Sequence, residues 1–212
     1  MIRTLAVLCA ISAAPVWPTP APAATLAATP ATTPAPRVLP RHDVTVTYQV
    51  SGAAADAIPV LGTPGSPTEL RLVWSAGQNR LLVLPTGRPQ RLLVDLPGHQ
   101  ATVLDDGMRV ALQLPMRDVD VQALTMANAR FTRRGQETVA GEACTDWAVE
   151  SGRSRGTVCL TEDGVPLRGE GDVNGRHGAF VATVIDHNRV DPSGLSVPAG
   201  YNRLELPRFG GH

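Results

Sequence analysis

The chain has 212 residues, 43% of them hydrophobic, and its 19 basic and 19 acidic side chains give a formal net charge of zero. No lysine occurs, so every basic residue is an arginine, which excludes a Schiff base, a phosphate-loop lysine and a serine–lysine nucleophile pair. Neutral charge and only 3 Trp, 2 Tyr and 3 Phe also set nucleic acid aside, because such a partner selects a basic face and stacking platforms.

Residues 1–23 read as a cleavable export signal: Arg3, an apolar run from Leu5 to Val16, then the small-residue pattern Ala21-Pro22-Ala23 before Ala24. That run is shorter than the ~20 residues a bilayer-spanning helix needs, and Pro15, Pro18, Pro20 and Pro22 interrupt any extension of it, so no membrane-spanning segment is expected. Cys9 follows Leu8 inside the apolar run, which does not fit a lipidation site. The expected location is the periplasm, with cleavage near Ala23/Ala24. About 189 residues then remain, roughly one domain's worth. Residues 24–41 are rich in Ala, Thr and Pro and read as an extended, disordered arm, residues 42–206 as a single β domain and residues 207–212 as a flexible tail.

From His42 onward the pattern is that of strands. Val44, Val46, Tyr48 and Val50 alternate with Asp43, Thr45, Thr47 and Gln49, the period of a half-buried strand. After a loose segment from Ala53 to Pro67, Leu70, Leu72 and Trp74 alternate with polar neighbours, and so do Met108, Val110, Leu112 and Leu114. Between these lie short apolar runs, Leu81–Leu84, Gln90–Leu96 and Ala101–Leu104. Pro85-Thr86-Gly87, Pro97-Gly98 and Asp105-Asp106-Gly107 punctuate them, which predicts an antiparallel meander. Asp118–Ala127 is the one helix candidate, with Asp118 as N-cap. Asn128–Ala140, Ala143–Glu150, Thr157–Thr161, Val165–Val173 and Phe180–His187 continue the strands, with hairpins at Ser151–Gly156 and Asp163-Gly164.

Once the signal is removed, Cys144 and Cys159 are the two remaining cysteines in a chain that matures in an oxidising compartment, so they are expected to form a disulfide. No catalytic constellation emerges: there is no Gly-x-Ser-x-Gly, no His-Glu-x-x-His and no strand-to-helix glycine loop. His177 and His187 would stand about 33 Å apart on an extended strand, too far to share a metal. Asp105 with Asp106, and Asp118 with Asp120, occupy turn or cap positions where aspartate serves local hydrogen bonding. Neither a cofactor nor a metal is expected, and the protein reads as a non-enzyme. The remaining signal is apolar: Met108, Met116 and Met126 cluster near Leu112, and methionine adapts to irregular apolar ligands.

The stretches Gln136–Trp147, Gly156–Leu167 and Val190-Asp191-Pro192 to Pro198-Ala199-Gly200-Tyr201, with the strand–turn–strand layout of Leu92–Leu104, resemble periplasmic proteins of the LolA-like, or outer-membrane lipoprotein-carrier-like, superfamily. The resemblance covers residues 42–206. It implies a mainly β fold, a curved antiparallel sheet forming an unclosed half-barrel with at most one or two short helices, wrapped around an apolar cavity that accepts acyl chains. This chain has one helix candidate where the carriers have several lid helices, which favours ligand binding over cargo transfer. The expected cavity lining is Val46, Tyr48, Leu70, Leu72, Trp74, Met108, Val110, Leu112, Met116 and Met126. The expected function is binding of a hydrophobic, lipid-like ligand. The alternative is an envelope protein–protein interaction module with a filled core, docking a protein partner through its arginine-bearing outer face and proline-rich arm.

Overall fold

The structure, a computed structural model, describes residues 34–52, 54, 68–117, 125–152, 154–173 and 175–205. They belong to a compact unit that begins at Thr33. The strands are β1 (Val44–Gly52), β2 (Thr68–Ser75), β3 (Arg80–Pro85), β4 (Gln90–Asp95), β5 (Gln100–Asp105), β6 (Val110–Pro115), β7 (Arg130–Val139), β8 (Glu142–Ser151), β9 (Ser154–Leu160), β10 (Pro166–Val173), β11 (Arg176–Asp186) and β12 (Asn202–Glu205). They form one 12-stranded sheet in the order β12-β6-β5-β4-β3-β2-β1-β11-β10-β9-β8-β7, curved but not closed. The fold is therefore the expected unclosed half-barrel.

All the sheet's pairings are antiparallel except one, in which β12 runs parallel to β6 and pairs Leu204 with Leu112. The alternation rules find the first eleven strands, but β12 is too short to show a period. The helix candidate at Asp118–Ala127 and the Ala53–Pro67 connection fall largely outside the described residues, although Met126 is described and sits in a turn whose oxygen accepts from Ala129 N at 3.0 Å.

Pairing fixes which side chains share a face, because successive residues of a strand point to opposite sides. Val46 pairs with Leu72, Leu72 with Val83, Val83 with Leu92, Leu92 with Val103 and Val103 with Leu112, so these side chains form one row across the sheet. Along that face Val44, Val46, Tyr48, Leu70 and Trp74 pack with Val165 and Leu167, which come from the far half of the sheet. Strands so distant in the order can meet over one face only if the sheet curls around it, so this is the concave side.

The opposite face of β2–β6 is apolar too. Leu82, Leu93, Leu104 and Ala111 pack there against Val190, Leu195, Val197 and Tyr201 of the segment that follows β11. Asp43 ties that segment down, accepting from Ala76 N at 2.9 Å and from Val190 N at 3.1 Å. Asp191 caps the short 3-10 turn Pro192–Leu195 through Ser193 N, and the bonds from the Ser193 hydroxyl and then from that N–H hold its carboxyl below the ordinary carboxylate range.

Candidate functional site

Two spaces open on the concave side. One is an apolar slot of ≈ 170 Å³ floored by Val44, Val46 and Tyr48 of β1, Leu72 and Trp74 of β2 and Leu81 of β3, and flanked by Val94, Leu96, Val165 and Pro166. Its roof is Val38, Leu39 and Pro40. The other is a broad, partly polar cleft of ≈ 1180 Å³ between residues 34–41 and strands β7–β9, with Arg37, Arg41, Arg133, Glu137 and Glu162 around it. Val38 and Leu39 line both spaces.

Local chemistry explains why residues 38–40 lie here although the composition of residues 24–41 reads as an arm. Pro36 and Pro40 fix their own φ, and each disfavours a helical conformation in the residue before it, Ala35 and Leu39, so the segment crosses without forming a helix. That presents Leu39 to the cluster around Val46 and Trp74, and Val38 to Trp147, Val158 and Leu160. The crossing is pinned at one end: Trp74 Nε1 donates to the Pro40 carbonyl at 3.0 Å, Arg41 N donates to the Asp163 carbonyl at 3.1 Å, and the His42 ring meets Asp163 Oδ1 at 2.9 Å. Gly164 makes room for it. Its φ is +96°, and a Cβ there would stand 2.6 Å from the Leu39 oxygen and 2.8 Å from Arg37 Cγ.

Deep in the slot, Tyr48 donates its hydroxyl to the Pro166 carbonyl at 2.6 Å and stacks edge-on against Phe180 at a centroid distance of 5.6 Å. Burial pushes its phenol well above the ordinary tyrosine value, so it stays a neutral donor. The slot therefore offers apolar walls with their polar groups already satisfied, and no nucleophile or general base.

The expected lining residues divide into two groups. Val46, Tyr48, Leu72 and Trp74 converge on the slot, and Leu70 is buried in the same cluster. Val110, Leu112 and Met116 lie on or just after β6, outside the slot lining. Met126 occupies the turn before β7. Met108 is 68% exposed because the Asp105 carboxylate accepts from its backbone N–H at 2.8 Å and Arg109 takes φ +54°, which makes residues 106–109 a turn that projects Met108 outward. The alternation missed the roof, and also Val94, Leu96 and Val165. The signal for the roof was faint: Val38-Leu39 is an apolar pair between two prolines in an otherwise small-residue tract.

Cys144 and Cys159 are joined, with Cα atoms 5.4 Å apart on neighbouring strands β8 and β9. Glu137 lies beside them and pairs with Arg168 at 2.8 Å. Both sulfurs are in the disulfide, so this group offers no thiolate to a metal. His187 pairs with Glu142, and His177 faces Asp172 at 3.4 Å, both at exposed positions. Among the described residues no helix is long and apolar enough to cross a membrane.

The sequence matches no protein-family model and no curated protein. Solved structures do match. An uncharacterized conserved protein from Thermus thermophilus aligns over 78% of this chain and 91% of its own, at 10% identity and a TM-score of 0.51. MucB aligns over 79% of this chain at 17% identity and a TM-score of 0.50, and the aligned region spans 61% of MucB. A LolA superfamily protein from Nitrosomonas europaea covers 74% of this chain and 91% of its own, at 9% identity and a TM-score of 0.38. The half-barrel thus shares its fold with the Thermus thermophilus protein and with MucB.

Proposed function

We propose that this is a non-enzymatic periplasmic protein that binds a hydrophobic, lipid-like ligand on the concave face of its half-barrel. The observation that carries the reading is the apolar slot between Tyr48, Leu72 and Trp74, in which the Tyr48 hydroxyl and Trp74 Nε1 are already paired. A chain of methylenes gains from such walls in proportion to the apolar area it removes from water, about 25 cal/mol per Å². The signal-like residues 1–23 and the Cys144–Cys159 disulfide support an exported location. The test is titration with dansyl-undecanoic acid, a fatty acid whose fluorescence responds to an apolar environment. Wild type is expected to bind it, Leu72→Trp to lose it because the indole fills the slot, and Val110→Phe, outside the slot, to keep it. Equal binding by wild type and Leu72→Trp would refute the site.

A second reading, an interaction module, has one observation in its favour. β7 ends the sheet without a described strand on its outer side, and it exposes Arg130, Arg133 and Arg134. A free edge flanked by arginines suits an acidic extended segment that adds as another strand. No fatty-acid binding by wild type, together with retention of a protein partner that Arg133→Glu/Arg134→Glu releases, would favour this reading over the first.

A further inference from the structure

Residues 38–40 stand between the two concave spaces, and what holds them there differs from what holds the strands. Among the described residues, the bond from Arg41 N to the Asp163 carbonyl is the one backbone-to-backbone hydrogen bond of residues 34–41. The segment adds no strand to the sheet; it rests on side-chain burial by Val38 and Leu39 and on the Trp74–Pro40 bond. Withdrawing it breaks no ladder. The groups it would leave, Trp74 Nε1 and the Asp163 carbonyl, need one acceptor and one donor respectively, which water or a ligand can supply.

The volumes give this a consequence. At ≈ 170 Å³ the slot is below the roughly 300–1,000 Å³ typical of small-molecule sites. The ≈ 1180 Å³ cleft on the other side of Val38 and Leu39 is ample but only partly apolar. With the segment lifted, the two become a single trough with Trp74 and Tyr48 on one side and Trp147 and Leu160 on the other.

We infer that residues 36–41 are a built-in strap that occupies the ligand trough and must be displaced before an acyl chain can enter, the vacated Trp74 Nε1 then donating to the ligand's carboxyl or ester oxygen. This rests on the lipid-binding reading above and adds the regulation of that site. The strap is a competitor in cis: Leu39 takes the place of acyl methylenes and the Pro40 carbonyl takes the place of the acyl oxygen. Apparent affinity is then the intrinsic affinity reduced by the fraction of molecules with the strap off.

Two measurements on the full chain test it. In the first, trypsin cleavage after Arg37 and Arg41 is timed with and without saturating dansyl-undecanoic acid; both arginines are exposed, and there are no lysine sites to compete. Displacement predicts faster cleavage at these two bonds when the fatty acid is bound. Unchanged or slower cleavage in a complex that has formed means the ligand binds beneath a closed strap, and overturns the inference. In the second, Leu39→Asp weakens the strap without altering the trough floor. It is expected to tighten fatty-acid binding about tenfold or more, the factor set by an open state populated at about 10% or less. Equal affinity for wild type and Leu39→Asp overturns the strap while leaving the lipid reading intact. Absence of binding by both proteins overturns the lipid reading itself, and the strap's role as its gate with it.

Discussion

The two halves of the sheet are built from the same kind of strand and buried very differently. β2–β4 is covered on both faces, by the concave cluster on one side and by Val190–Tyr201 on the other, and the second cover extends to Leu104 on β5, which is 0% exposed. β7, at the far edge, is exposed along most of its ten residues. The sequences already differ in kind: Leu81-Leu82-Val83-Leu84 and Leu92-Leu93-Val94 are unbroken apolar runs, as strands buried on both faces require, whereas Thr132-Arg133-Arg134-Gly135-Gln136 suits an edge that must resist pairing with other chains. Stability is therefore concentrated in the short meander, and the longer hairpin is left free for contacts.

The sharpest way to break this contrast is a matched pair of truncations followed by denaturant unfolding. Leu104→Ala is expected to cost about 2–5 kcal/mol, a lost side chain plus the cavity it leaves. Thr132→Ala, exposed on β7, is expected to fall within about 0.5 kcal/mol of wild type. Comparable costs at the two sites would show that the halves are equally loaded.

The disulfide is what the exposed half has in place of a second covered face. Replacing Cys144 and Cys159 by alanine together is expected to cost about 3 kcal/mol for a 15-residue separation and to lower Tm by about 5 °C or more, read by thermal melts. A melt unchanged by the double substitution would mean that the hairpin holds itself.

The smallest expected effect concerns pH. Bonds from Met108 N–H and then from Gln90 hold the Asp105 carboxyl below its ordinary value. A depressed native value stabilises the fold above the unfolded value of about 4, and that contribution is lost as pH falls through the lower native value. Asp105→Asn keeps an acceptor for the turn but does not titrate, so its stability profile below about pH 4 is expected to be flatter than that of wild type. Parallel profiles would place the acid sensitivity elsewhere.

Much of the fold was legible because period-two alternation and turn residues are local properties. Val44–Val50 predicted β1, and Cys144 with Cys159 predicted the disulfide from two residues and a compartment. What alternation cannot say is what covers each face. Leu82, Leu93 and Leu104 were readable as buried, but their cover, Val190–Tyr201, arrives about 90 residues later in the chain. The site was half legible for the same reason. Val46, Tyr48, Leu72 and Trp74 followed from their strands, whereas Leu39 reaches the slot through a tract whose composition reads as a linker. Met108 shared the strand parity, but its position in an Asx-type turn took it to solvent.

The central claim, that the concave face holds a lipid-like molecule, is tested most directly by native mass spectrometry of the protein purified from its own cells. The account predicts an adduct with the mass of one acyl-chain lipid on wild type, absent from Leu72→Trp prepared in the same way. Bare protein in both preparations, or the same adduct on both, would contradict it.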